Sequence, residues 1–150
     1  MSHNMSTDEL LAQATCAIWV KGAKKPTGTA WLVSDKGHLI TAGHVLGRKQ
    51  PLEKVEVRFA GDELPLVARR VEWRFEQQKG IDFAILQLEK GVKARRPLPI
   101  LLDQKVSGTF RLYGYGQSLA VLTGGVGEFV GLYDPFRSIV THTFIPDKCK

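Results

Sequence analysis

The chain has 150 residues, 43% hydrophobic and 24% charged, a composition suited to one globular domain and not to a disordered segment. No run approaches the ~18 apolar residues of a membrane-spanning helix, and Met1 to Thr7 has neither the basic start nor the apolar core of a secretory leader; a cytoplasmic protein without membrane contact is expected. The net charge of +6 is dispersed over Lys21, Lys24 and Lys25, then Arg69, Arg70 and Arg74, then Lys93, Arg95 and Arg96, with no stacking aromatics among them, so nucleic acid is not an expected partner.

Met1 to Met5 are set aside as a start or an expression remnant. Ser6 stands three positions before Glu9 and just ahead of Leu10 and Leu11, the capping-box pattern of a short helix. Short runs rich in Val, Ile and Phe follow, separated by Gly, Pro, Asp or Lys, and they predict strands at Thr15–Lys21, Thr27–Val33, Leu39–Thr41, Lys54–Phe59, Leu64–Trp73 and Phe83–Leu88. In Lys54–Phe59 the odd positions are apolar and the even ones charged, which leaves one face wet and the other packed. Six such strands with tight turns suffice to close a small antiparallel barrel without an exposed edge.

Glu89–Lys105, with Lys90, Lys93, Arg95, Arg96, Pro97 and Pro99, reads as a crossing linker. A second β-rich block follows at Gly108–Gly116, Leu119–Tyr133 and Ser138–Ile145, crowded with glycines as barrel corners require, but about three strands are too few to close a second barrel. The expected organisation is an N-terminal tail with a short helix over 1–13, a first barrel over 14–89, a linker over 90–106 and a partial second barrel over 107–150.

Cys16 and Cys149 lie far apart and show no metal-ligand spacing, so they read as reduced thiols and no metal site is expected. Among the histidines, His3 falls in the N-terminal remnant, His142 lies on an alternating strand, and His38 flanks the turn at Gly37. His44 differs: Leu39–Leu46 runs an apolar strand into Ala42 and Gly43 and then delivers an imidazole at its end, with room beside the ring. Taken alone, His44 reads equally as a satisfied buried histidine. Asp82 opens the apolar strand Phe83–Leu88, where an acid must turn to solvent or replace its lost water with hydrogen bonds; an imidazole N–H is a natural donor, and a plain strand-entry residue is the alternative.

Taken together, Thr27–Ser34, Gly37–His44 and Ile81–Leu88 resemble, in order, the glycine-led strand, the histidine turn and the aspartate strand of trypsin-like serine proteases, and most of all the HtrA-type peptidase domains. The resemblance covers about residues 14 to 147, the first barrel well and the second in outline; Gly43, where many relatives carry Ala, departs from it. It implies an all-β, trypsin-like double β-barrel with the first six-stranded barrel complete and the second partial. It further implies a peptide or protein substrate, no cofactor, and a His-Asp-Ser triad with His44 as general base and later general acid and Asp82 as its orienting partner.

The separation of the two residues is comparable with the ~45 residues of the chymotrypsin-type template, which places its nucleophile ~93 residues beyond the aspartate, farther than Lys150 lies from Asp82. The family's Gly-x-Ser-Gly context is absent from the sequence. Ser107 and Ser118 read as loop serines, and Cys149 is flanked by Lys148 and Lys150 where glycine belongs. The expectation is a serine endopeptidase domain whose nucleophile lies outside this chain, inactive by itself, with a complementing C-terminal segment or self-association through open strand edges as its partner. The alternative is a non-catalytic module that binds peptides or partner proteins on the same scaffold.

Overall fold

The computed structural model describes residues 4–92, 94–100, 109–115, 122–134 and 139–148. Helix α1 (Thr7–Ala14) starts at the capping box: the Ser6 hydroxyl accepts the Glu9 N–H at 3.2 Å and the Glu9 carboxylate accepts the Ser6 N–H at 3.4 Å. It ends where Thr15 turns extended, with the Thr15 hydroxyl donating back to the Leu11 carbonyl at 2.6 Å.

Six strands follow: β1 (Thr15–Trp19), β2 (Gly28–Leu32), β3 (His38–Thr41), β4 (Lys54–Phe59), β5 (Leu66–Glu76) and β6 (Ile81–Leu88). They form a closed antiparallel barrel in the order β1-β2-β3-β6-β5-β4, sealed by the pairing of Cys16 with Phe59 and Ile18 with Val57. Closure depends on side-chain alternation. In β4, Val55, Val57 and Phe59 are buried while Lys54 and Arg58 face solvent. The inward rows interlock as one core that includes Ile18, Leu32, Leu39, Val57 and Leu86.

The main departure from expectation is β5, which begins at Leu66, leaving Leu64 exposed, and runs past Trp73 to Glu76. The physical reason is a bulge between Arg70 and Glu72. An extra residue in one strand reverses which positions face inward, so the alternation that marks a strand in sequence is broken midway.

The linker is strapped to the barrel. The Leu98 N–H donates to the Leu32 carbonyl at 2.8 Å, and Arg95 lies 4.4 Å above the Phe59 ring while pairing with Asp62 at 2.8 Å. Beyond it, β7 (Thr109–Gly114), β8 (Thr123–Asp134) and β9 (Ile139–Lys148) form an antiparallel sheet with β8 at its centre. This sheet is tied to the barrel where the Tyr115 N–H donates to the Thr29 hydroxyl at 2.8 Å and where Tyr115 and Leu122 pack with Ala17.

Leu86 is fully buried at the centre of the barrel. Leu86→Ala is expected to lower unfolding stability by about 2–5 kcal/mol, measured by urea denaturation; a loss below ~1 kcal/mol would contradict the packing described here.

Candidate active site

Strand β6 positions the carboxylate. Asp82, Ala84, Leu86 and Leu88 share one face by alternation; the last three are buried, and Asp82, 34% exposed at its side chain, is the next step up, at the rim. Across the ladder the bulge has re-phased β5, so that Trp73 stands opposite Ala84 and Phe75 opposite Asp82. The aspartate therefore has an aromatic wall beside it.

The imidazole arrives from the other side. β3 ends at Thr41, whose hydroxyl donates to the Thr29 carbonyl at 2.7 Å, and Gly43–Val45 then makes a single 3-10 turn. A side chain at 43 would bring its Cβ to 2.7 Å from the Arg74 carbonyl oxygen and 2.9 Å from that of Phe83, so only glycine fits without moving backbone. Gly28 is similarly close to Val45, where a Cβ would fall 2.7 Å from a methyl carbon. These close approaches seat the turn on the ends of β2, β5 and β6.

The result is a two-point contact. His44 Nδ1 lies 2.6 Å from Asp82 Oδ2, and the His44 backbone N–H donates to Asp82 Oδ1 at 2.8 Å. An ionised carboxylate only accepts, so Nδ1 carries a proton, and in the neutral ring Nε2 then presents its lone pair. Nε2 has no hydrogen-bond partner among the described residues, and the ring is 44% exposed. Burial pushes the Asp82 carboxyl upward, but the hydrogen bonds from the His44 ring, then from the His44 and Gly43 backbone, outweigh it and hold the group below its ordinary value. Phe75 meets the His44 ring edge-on at 6.4 Å, with Arg48 lying 5.2 Å above the Phe75 ring. Chemically, the arrangement is an oriented imidazole that in its neutral form can take up a proton at Nε2 and has a carboxylate behind it to stabilise the cation.

The structure brings His44 and Asp82 together. His38 is bound into the β2–β3 turn, its Nδ1 2.7 Å from the Ser34 hydroxyl, which also accepts the His38 and Lys36 N–H groups. His142 lies on β9 opposite Phe129. His3, Ser107, Ser118 and Cys149 lie outside the described residues. Cys16 is free and buried; desolvation pushes its thiol up to about 12 despite the nearby Arg95, which makes it an inert packing group. Among the described residues no cluster of three or more His, Cys, Asp or Glu is placed to hold a metal ion, and no helix is long and apolar enough to cross a membrane. Sequence reasoning missed Trp73, Phe75 and Arg48 as neighbours of the pair. The apolar positions 71, 73 and 75 alternating with charged residues were the available signal for the first two.

No protein-family model and no curated protein sequence matches the chain. Solved structures do. The serine endoprotease from Yersinia pestis superposes with a TM-score of 0.64 at 16% identity, over 95% of this chain and 54% of its own. Kallikrein-related peptidase 10 gives 0.64 at 14% identity, over 89% and 68%. The MamO protease domain from Magnetospirillum magneticum gives 0.57 at 18%, over 95% and 75%. The chain has the trypsin-like serine protease fold. It spans little more than half the length of the Yersinia pestis protein, 54%, with the closed barrel as its first part.

Two measurements probe the site. Gly43→Ala forces backbone to shift around the new Cβ and is expected to cost about 1–3 kcal/mol in urea unfolding, with the largest amide shift changes at His44 and Asp82; an unperturbed spectrum would contradict the close approach. The lowered Asp82 carboxyl gives a pH dependence of definite sign. Its contribution to stability is complete above the ordinary aspartate value of 3.8 and is lost as pH falls through the lower folded value. Asp82→Asn should therefore flatten the acid limb of Tm against pH below about pH 4, and an unchanged limb would contradict the pairing.

Proposed function

We propose that this chain carries the general base and its orienting acid for a trypsin-like serine endopeptidase, with the nucleophilic serine on residues outside this sequence or on another chain. The observation that carries the reading is the two-point contact of Asp82 with His44, at 2.6 Å and 2.8 Å, which leaves Nε2 at the rim without a partner among the described residues. The trypsin-like fold and the absence of a Gly-x-Ser-Gly context from the sequence agree with it.

In the reaction so assigned, Nε2 removes the proton of the serine hydroxyl as its oxygen bonds to the scissile carbonyl carbon. The resulting imidazolium, steadied by Asp82, returns that proton to the leaving amine as the C–N bond breaks; water then repeats the sequence to release the acid. No metal or organic cofactor enters any step. Without the serine and its oxyanion donors the chain alone has no acyl-enzyme route, and absence of one such donor already costs ~10²–10³ in rate. The substrate is a peptide or protein, and the site of action proposed is the cytoplasm.

The test uses the complete natural reading frame. A fluorophosphonate probe is expected to label one serine outside residues 1–150, and Asp82→Asn, which keeps the shape but disfavours the Nδ1–H tautomer, to lower kcat ~10⁴-fold. A second reading has its own support: in the sheet β7-β8-β9 the outer strands β7 and β9 are edges among the described residues, open to strand addition by a peptide, a complementing segment or a second copy. A complete protein that binds peptide but shows no labelled serine would replace the enzyme with that binding module.

A further inference from the structure

Trp73 lies outside the pair itself, yet it touches the one peptide group on which the pair depends. Its indole Nε1–H donates to the Gly43 carbonyl at 2.9 Å. The N–H of the same peptide unit, that of His44, donates to Asp82 Oδ1 at 2.8 Å. The Gly43–His44 peptide is thus held at both ends, its oxygen by β5 and its nitrogen by β6.

We infer that Trp73 is a positioning residue for His44, acting through this clamped peptide; the inference rests on the proposed roles of His44 and Asp82. The turn needs such a device. It is a single 3-10 turn with no side-chain cap, and its backbone bonds are few: Val45 N–H to Ala42 at 3.2 Å, Leu46 N–H to Gly43 at 3.0 Å and Gly47 N–H to His44 at 3.2 Å. Glycine, required at 43 by the crowding of backbone carbonyls, brings the widest backbone freedom at the residue that sets the direction of the imidazole. Trp73 removes that freedom from a rigid base: it is paired to Ala84 in the ladder and packed against the barrel core. Donation to the carbonyl also polarises the peptide, which makes its N–H a stronger donor to Asp82. The Gly43 oxygen accepts from Leu46 N–H at 3.0 Å as well, so both lone pairs are engaged.

The experiment replaces Trp73 in the 150-residue chain with β-(3-benzothienyl)alanine, which keeps the bicyclic volume but has sulfur where the N–H was, and in parallel with Trp73→Phe. Hydrogen exchange of the ¹⁵N-labelled chain is read at the His44 backbone N–H, the His44 Nδ1–H and the β6 amides. The expected result for both variants is exchange at His44 faster by about tenfold, as loss of one hydrogen bond allows, with β6 amides such as Leu86 unchanged. Unchanged His44 exchange in the benzothienyl variant overturns the inference. Uniform acceleration across the barrel, or failure of both variants to fold, overturns it too, because Trp73 would then be a general packing residue. An unprotected Nδ1–H in the unsubstituted chain would instead remove the proposed proton-transfer pair, while the response of the His44 backbone N–H would still judge the clamp.

Discussion

A carboxylate at the end of an inward-facing strand row has lost part of its water and must recover the loss through hydrogen bonds, and Asp82 recovers it from the 43–44 turn. The two strongest donors belong to His44, one from the ring and one from the backbone, with the Gly43 backbone adding to them. That requirement constrains the surrounding structure. The turn must bring its backbone within reach of β6, which demands glycine at 43, and the barrel register must bring the ends of β3 and β6 to the same level, as the pairing of Thr41 with Ala84 does. Shifting β6 by one residue would turn Asp82 to the outer face and insert its neighbours Ile81 or Phe83 in its place.

The bulge in β5 is the second element of the arrangement. Before it, Ala68 and Arg70 stand opposite Leu88 and Leu86; after it, Trp73 and Phe75 stand opposite Ala84 and Asp82. Without the extra residue, charged Glu72 and Arg74 would occupy those places. One inserted position thus converts a charged strand end into an aromatic one, supplying the indole that holds Gly43 and the ring that borders His44.

These two features also mark where the sequence was legible. The capping box at Ser6, the six barrel strands and their approximate limits follow from composition and alternation, because each is a local property of a few consecutive residues. His44 and Asp82 stood out as residues at the ends of apolar strands, but neither side chain announces the other; the resemblance of the ordered segments linked them, and the coordinates place them 2.6 Å apart. Trp73 was read as the end of its strand but not as a neighbour of the pair, and Arg74–Glu76 were left off that strand, because the bulge between Arg70 and Glu72 breaks the period on which strand recognition relies. The departure at Gly43 looked minor in sequence and becomes a requirement once the carbonyls of Arg74 and Phe83 surround it.

Stability alone does not account for this local arrangement. A half-exposed histidine-carboxylate contact contributes roughly 0–1 kcal/mol, about what any surface ion pair does. Against that stand a glycine whose backbone entropy is lost, an indole used on a turn carbonyl and an imidazole left 44% exposed with Nε2 unpaired among the described residues. His38, in the neighbouring turn, is held differently: its Nδ1 lies 2.7 Å from the Ser34 hydroxyl, which also accepts the His38 backbone N–H at 3.0 Å. What the setting of His44 fixes is the direction of one ring nitrogen, which the proposed proton transfer requires and folding does not.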